Sequence, residues 1–379
     1  MKNFVAKVKG VLGNYATNGI FHEEYGRFSS IESYERMLEQ IVSKWALTPP
    51  SLALSTTYKH PIVAKILKLN YSQIVQSWQD AGIISNYISE KKVNREYLLI
   101  QRRYIDSKGG WNTIPSVIDF ALLASEFMKN SQTTPKLAAN QMYDVINKNI
   151  GSDGTVKYRD NLPQIRFVDS IGMICPFLFQ YGRTFNHKDS IELAIKQIKK
   201  YIEMGMDSNN LPFHAYNVRT GDKLGIGAWC RGIGWFTLGL SAAIREHDTG
   251  EYDYFLKFAL RLADKLREYQ NEEGGFSWMV TAGGRSESSG TAMIGNFYLD
   301  LFTITSKTEY FLAGEKCLYA LMKNTNSKGI LDFSQGDSKG LGLYSSNFTY
   351  MPFAQGYTLK LARRIRKIRE EKIDKEHTV

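Results

Sequence analysis

The stretch IGMICPFLFQY at residues 171–181 is apolar on nearly every side, whereas IELAIKQIKKYIEM at residues 191–204 is apolar on one side only. In the second, Ile191, Ala194, Ile195, Ile198 and Ile202 recur at helical spacing. The first reads as a helix buried all round and the second as a helix with one wet face. The pair returns further on. Trp235 to Ile244 is apolar almost throughout, and Tyr254 to Leu266 puts Phe255, Phe258, Ala259, Leu262 and Leu266 on one face. A turn recurs ahead of the buried helices, at Gly109-Gly110-Trp111, Gly154-Thr155-Val156, Leu211-Pro212-Phe213, Gly274-Gly275-Phe276 and Gly329-Ile330-Leu331, with a weaker copy at Gly19-Ile20-Phe21. Apart from one double-length gap, the copies lie roughly 45–60 residues apart, as in repeat architectures. Two helices per repeat and about six repeats describe a double ring. The expected fold is all-α, an (α/α)6 barrel or six-hairpin toroid with short β-like loops at the active-site end. An open solenoid of the same hairpins is the alternative. Helices that are buried on every side favour closure.

The 379 residues are 43% hydrophobic and 23% charged, with 9 Pro and 31 Gly, a composition that suits long helices joined by glycine-bearing loops. One domain over residues 1–362 is expected, followed by a basic charged C-terminal tail at 363–379. The formal net charge is +10, and the run from Arg363 to Glu376 supplies three of those charges. A basic body suits an anionic partner, whether nucleic acid, an acidic membrane surface or an acidic polysaccharide. Cys175, Cys230 and Cys317 are odd in number and widely spaced, which argues against a disulfide framework. Residues 1–19 hold no apolar signal-peptide core, and no stretch approaches the roughly 20 apolar residues of a membrane span. A cytoplasmic location is the expectation.

If the repeat-opening loops gather at one end, the residues that start the buried helices face a common funnel. These are Asp119, Asp169, Trp229 with Arg231, Ser288 with Ser289, and Gln355. Two carboxyls, a guanidinium and aromatic rings suit an acidic sugar. Arg can grip a carboxylate through two parallel hydrogen bonds, and rings can stack on sugar faces. An Asp packed against rings loses solvation, so it can keep a proton and act as a general acid. An Asp at a helix start can equally be a cap, and spacing alone leaves both readings open.

The segment Phe167-Val168-Asp169-Ser170-Ile171-Gly172-Met173-Ile174-Cys175-Pro176-Phe177-Leu178 resembles the catalytic-Asp helix of the unsaturated glycuronyl hydrolases, glycoside hydrolase families 88 and 105. Trp229-Cys230-Arg231-Gly232-Ile233-Gly234-Trp235 is similar to that family's Trp-x-Arg-Gly-Asn-Gly-Trp, and Glu287-Ser288-Ser289-Gly290-Thr291-Ala292-Met293 to its Glu-Ser-Ser-Ala-Thr-Ala-Met. His214 stands where the family carries a His in a Leu-x-x-His-x-Tyr loop, and Met351 to Gly356 resembles a terminal Gly-Gln-Gly helix start. The matches run in family order from about residue 110 to 360. The resemblance implies release of a 4,5-unsaturated uronic acid from the non-reducing end of an acidic oligosaccharide, by hydration of its enol ether. It implies Asp169 as acid and base, with Asp119 as a second carboxyl. His214, Trp229, Arg231, Trp235 and Ser289 would be sugar contacts, and neither a metal nor an organic cofactor is needed.

Two positions depart from the family pattern. The family's other Asp stands in Asp-x-Ile-x-x-Gly, and an alignment anchored on the following helix puts Ser116, not Asp119, at that place. Ile233 replaces the Asn between the two glycines. Other chemistries find less support. No Cys neighbours a His, as a zinc cyclase of this general shape would require, and no Gly-x-x-x-x-Gly-Lys-Ser/Thr loop occurs. The basic run from Arg363 to Arg369 reads as a solvated terminal helix, so no nucleic acid is expected. The rival reading is a non-hydrolytic glycan-binding accessory of surface-polysaccharide biosynthesis. Oligomeric state, sugar and linkage are not legible.

Overall fold

The computed structural model describes residues 25–50, 76–89, 92–338 and 340–377. Within them the chain alternates between an outer and an inner ring of helices. The order is α1 (Ile31–Leu47), α2 (Ser77–Ile84), α3 (Arg95–Tyr104), α4 (Phe120–Phe127), α5 (Lys136–Lys148) and α6 (Val168–Phe185). It continues with α7 (Lys188–Met204), α8 (Cys230–Ala243), α9 (Tyr252–Tyr269), α10 (Ser288–Thr305), α11 (Thr308–Lys323) and α12 (Pro352–His377). Even-numbered helices are inner. Each packs on the next, from α2 to α4, α6, α8, α10 and α12, and α12 packs back on α2. The ring therefore closes, as the all-round apolar helices required, and the open solenoid is excluded. The turn copy at Gly19-Ile20-Phe21 lies outside the described residues.

Closure depends on small residues where inner helices cross. At the seam, a Cβ on Gly82 of α2 would stand 2.5 Å from the Phe353 backbone, and one on Gly356 of α12 would stand 2.1 Å from the Gly82 carbonyl oxygen. Neither helix could come so close with a side chain there. The outer helices carry one apolar stripe each. In α9, Phe255, Phe258, Ala259, Leu262, Ala263 and Leu266 are buried and the opposite face is wet, as the spacing predicts.

The recurring turn is a bridged loop between an outer helix and the next inner one. Bridges join Ile105 to Trp111, Ile150 to Val156, Met206 to Pro212 and Thr325 to Leu331. The fifth residue of each loop, Gly109, Gly154, Asn210 or Gly329, has a positive φ of 60–80°, which glycine and asparagine adopt at least cost. In three of these loops an Asp or Asn just after the bridge folds back on the turn. Asp106, Asp207 and Asn326 accept the N–H groups of Gly110, Leu211 and Ile330 respectively.

The strands are short. Beyond a two-residue hairpin of β1 (Ile88–Ser89) and β2 (Lys92–Val93), they sit beside the inner-helix N-termini. Strands β3 (Ile165–Phe167), β4 (Phe213–Asn217) and β5 (Lys223–Gly227) form an antiparallel sheet, and β6 (Ser334–Gln335) pairs with β7 (Phe348–Thr349). Helix α12 runs without a break through the expected boundary at 362/363. Ile365 is fully buried, while Arg363 and Arg366 pair with Glu35 of α1, Arg364 with Asp300 of α10 and Arg369 with Glu315 of α11. The basic run is barrel wall as far as Arg369. Among the described residues no helix is long and apolar enough to cross a membrane.

Candidate active site

Asp169 sits in the first turn of α6, which begins where β3 ends. Strand β3 pairs with β4 so that Phe167 lies opposite Ala215, and this register brings His214 beside Asp169. The His214 Nε2 atom is 3.3 Å from Asp169 Oδ2. That oxygen is buried and has no protein hydrogen-bond partner. A bare buried carboxylate oxygen is costly, so its survival marks a place where structure gives way to chemistry. On its other side, His214 Nδ1 lies 2.7 Å from the Tyr344 hydroxyl, which also accepts the Ile226 N–H at 2.9 Å. With that lone pair occupied, Tyr344 can donate to Nδ1 and leave Nε2 as the N–H nitrogen facing Asp169.

Asp119 immediately precedes α4 and makes no side-chain capping bond, so the cap reading does not describe it. It lines the same cavity as Asp169, a space of ≈ 380 Å³ at the N-terminal mouth of the inner ring. Burial pushes its pKa up to about 6, against the hydrogen bond from Tyr158 and the charge of Arg159, while the charges of Asp169 and Asp337 add to the rise. Burial, with the charges of Asp119 and Asp169, holds the Tyr158 hydroxyl well above its ordinary range, so it remains a donor. Ser116 is exposed and does not line the cavity. The carboxyl sits one turn later than the alignment places it.

Arg231 is buried and reaches the cavity, but its two terminal nitrogens are already engaged. Nη1 donates to the Gln335 carbonyl and Nη2 to the Gly336 carbonyl at 2.9 Å. The paired donors expected to hold a substrate carboxylate thus hold the loop that carries Asp337. Trp229 packs behind this arrangement. Its ring lies under the Arg231 guanidinium at 4.8 Å and beside His214, and its indole N–H donates to Gln335 Oε1 at 2.8 Å. Trp229 does not line the cavity; Trp235 does, stacked on Phe353 and edge-on to Trp78.

Ser289 is also away from the cavity. It is fully buried beneath Glu287, whose carboxylate accepts the Ser289 and Gly290 N–H groups, the Ser289 hydroxyl and the Gln335 N–H. The Glu-Ser-Ser block is therefore the N-terminal cap of α10, with Gln335 at the end of β6 tied to it. Gln355 is structural in the same sense, accepting the Leu331 N–H and donating to the Gly329 carbonyl. Ile233 packs in the core.

Four residues of the site had not been singled out: Tyr158, Arg159, Asp337 and Tyr344. Arg159 lines the cavity from an exposed position, its guanidinium 4.9 Å from the Tyr158 ring centre. Among the described residues it has no ion-pair or hydrogen-bond partner. Asp337 lines the same cavity, its pKa raised by burial against the opposing charge of Arg231. The arrangement is three carboxyls, a tethered imidazole, one free guanidinium and a wall of Trp78, Trp235 and Phe167. It can exchange a proton with a ligand, bear positive charge in that ligand and bind its carboxylate.

Comparison with known proteins locates this arrangement. The model of the family described as Glycosyl Hydrolase Family 88 matches residues 87–360. No curated protein matches the chain. Among solved structures, a possible member of family GH105 from Salmonella enterica superposes with a TM-score of 0.71 at 14% identity, covering 93% of this chain and 98% of the other. A possible GH105 member from Klebsiella pneumoniae gives 0.70 at 16%, with coverages of 93% and 98%. The unsaturated glucuronyl hydrolase of Bacillus sp. GL1 gives 0.64 at 15%, with coverages of 88% and 95%. At these identities the likeness is one of fold.

Proposed function

The chain belongs to glycosyl hydrolase family 88, and on that premise we propose that it removes a 4,5-unsaturated uronic acid from the non-reducing end of an acidic oligosaccharide. The observation that carries this reading is Asp169, which lines the cavity with a carboxylate oxygen left without a hydrogen bond beside an oriented His214, and shares that cavity with a second carboxyl that holds its proton up to about pH 6. Asp169 gives its proton to C4 of the enol ether, and positive charge develops at C5 and the ring oxygen. Water then adds to C5 and returns a proton to the Asp169 carboxylate. The C5 hemiketal opens, leaving a hemiacetal at C1 that collapses and frees the next sugar. Ionised Asp119 stabilises the charge at C5, Arg159 binds the uronate carboxylate, and Trp235 and Trp78 wall the ring.

The C4=C5 bond is conjugated with the carboxylate and absorbs ultraviolet light, so turnover appears as a loss of absorbance. Lyase-made disaccharides of pectin, chondroitin and related polymers form the substrate panel. We expect turnover with at least one of them by the wild type and about a thousandfold less by Asp169→Asn. Absence of turnover across the panel, or equal rates in the variant, removes this reading. Because Asp119 acts as its anion, kcat falls as pH drops through about 6. Asp119→Asn, which cannot ionise, is expected to be slower at every pH and to lose that acid limb.

A further inference from the structure

The C-terminal mouth of the inner ring holds a second cavity of ≈ 80 Å³, about a fifth of the volume at the first mouth. No sugar ring fits it. Five cations surround it: Lys129 just past α4, Arg183 in α6, Arg245 just past α8, and Lys360 and Arg364 in α12. Three carboxylates answer them. Glu126 pairs with Lys129, Glu246 with Arg183, and Asp300 with both Arg245 and Arg364. Lys360 has no ion-pair or hydrogen-bond partner among the described residues. Helix dipoles explain part of this excess, because the C-terminal ends of α4, α6 and α8 attract Lys129, Arg183 and Arg245. They do not explain Lys360 or Arg364, which lie well inside α12. Arg183 and Arg245 reach solvent with side chains 47% and 50% exposed, while Lys360 and Arg364 are only partly exposed, and a surplus of positive charge converging on one cavity favours a bound anion.

We propose that this cavity binds a small tetrahedral oxyanion of the sulfate or phosphate type, held by Lys360 together with Arg245 and Arg364. The guanidinium groups have donors left over from Asp300, and an oxyanion offers acceptors to all three side chains at once. Without it, burial and then Lys129 press the Lys360 pKa down to about 7, with Arg245 and Arg364 adding to the fall and Glu126 opposing it. Bound anion and bound proton therefore favour one another, and affinity for the anion falls as pH rises above about 7.

Sulfate is the probe, since its charge is constant across the range, with chloride at matched ionic strength as the control. Isothermal titration of the full chain at pH 6 is expected to show saturable sulfate binding, weakening up to tenfold per pH unit above about 7. Lys360→Met should unfold cooperatively and lose that binding. Lys360→Arg, whose charge persists at high pH, should still bind sulfate at pH 9, where the wild type has lost it. No saturable binding at pH 6, a pH-independent affinity in the wild type, or full binding by Lys360→Met would each overturn the proposal.

Discussion

The two mouths of the barrel are lined by the same inner helices and are both rich in charge, yet they spend it differently. At the C-terminal mouth every carboxylate is matched. Asp300 is fully enclosed, and against the cost of burial Arg245 and Arg364 hold its carboxyl well below the usual range. At the N-terminal mouth the helix dipoles favour negative charge, but Asp119, Asp169 and Asp337 share one cavity without a Lys or Arg ion-pair partner among the described residues. There burial wins, and Asp119 is pushed up to about 6. At one end Asp300 is fixed as an anion and ties α10 to α12. At the other, burial raises Asp119 and Asp337, which leaves them readier to take up a proton, at the expense of stability.

If that division holds, the same substitution at the two mouths should give opposite phenotypes. The largest effect falls on activity. Asp169→Asn should lower kcat by about a thousandfold, the scale of general acid–base catalysis, with thermal stability unchanged or raised. Asp300→Asn should do the reverse. Asp300 is buried but its two guanidinium partners are 50% and 24% exposed, so water offsets part of the loss. Removing the shared carboxylate should cost about 1–3 kcal/mol in denaturant unfolding, with the kcat of the folded fraction unaltered. A stability loss in Asp169→Asn as large as that in Asp300→Asn would break the comparison.

A third variant sharpens it at the far mouth. Lys360 has a folded-state pKa of about 7, against an unfolded value of about 10.4. Between those values the unfolded chain binds more protons, so this group makes stability rise with pH across that window; at and below pH 7 its full cost is present. In sulfate-free buffer, Lys360→Met should therefore be more stable than wild type at pH 6, and the gap should narrow by up to about 3 kcal/mol by pH 9. A gap that does not depend on pH would show that lost packing, not charge, sets it.

The sequence betrays the barrel more readily than the site because the two are written differently. Alternation of all-round and one-sided apolar helices is periodic, and so is the loop closed by bridges such as Ile105 to Trp111 and Thr325 to Leu331. Asp169, Asp119, His214, Arg231 and Trp235 do converge on one cavity. Trp229 and Ser289 stand one layer back, because a motif records which residues recur together and not which of them meets the ligand. Tyr158, Arg159, Asp337 and Tyr344 lie on irregular loops, where no period signals them. The pairing of Tyr344 with His214 spans 130 residues. The run after residue 362 misleads for the opposite reason. Its arginines look like a solvated tail, while Ile365 and Ile368, at helical spacing among them, pack on the core.

The smallest effect should come from the cation that separates the two mouths most clearly. Guanidinium groups at the C-terminal mouth are committed to Glu246 and Asp300, and Arg231 at the other is committed to the carbonyls of Gln335 and Gly336. Among the described cations lining the active-site cavity, only Arg159 is both exposed and unpaired, so it can meet an incoming carboxylate without breaking an existing bond. Exposure limits what that contact contributes, because water and salt screen it. Arg159→Gln should raise KM by about tenfold, equivalent to about 1.4 kcal/mol, and change kcat little, since the contact is made equally in the ground and transition states. Wild-type KM should also climb with ionic strength, and the variant's should climb less. An unchanged KM, or a loss confined to kcat, would mean that the substrate carboxylate is bound elsewhere. Arg231 would then have to release the 335–336 loop to take it.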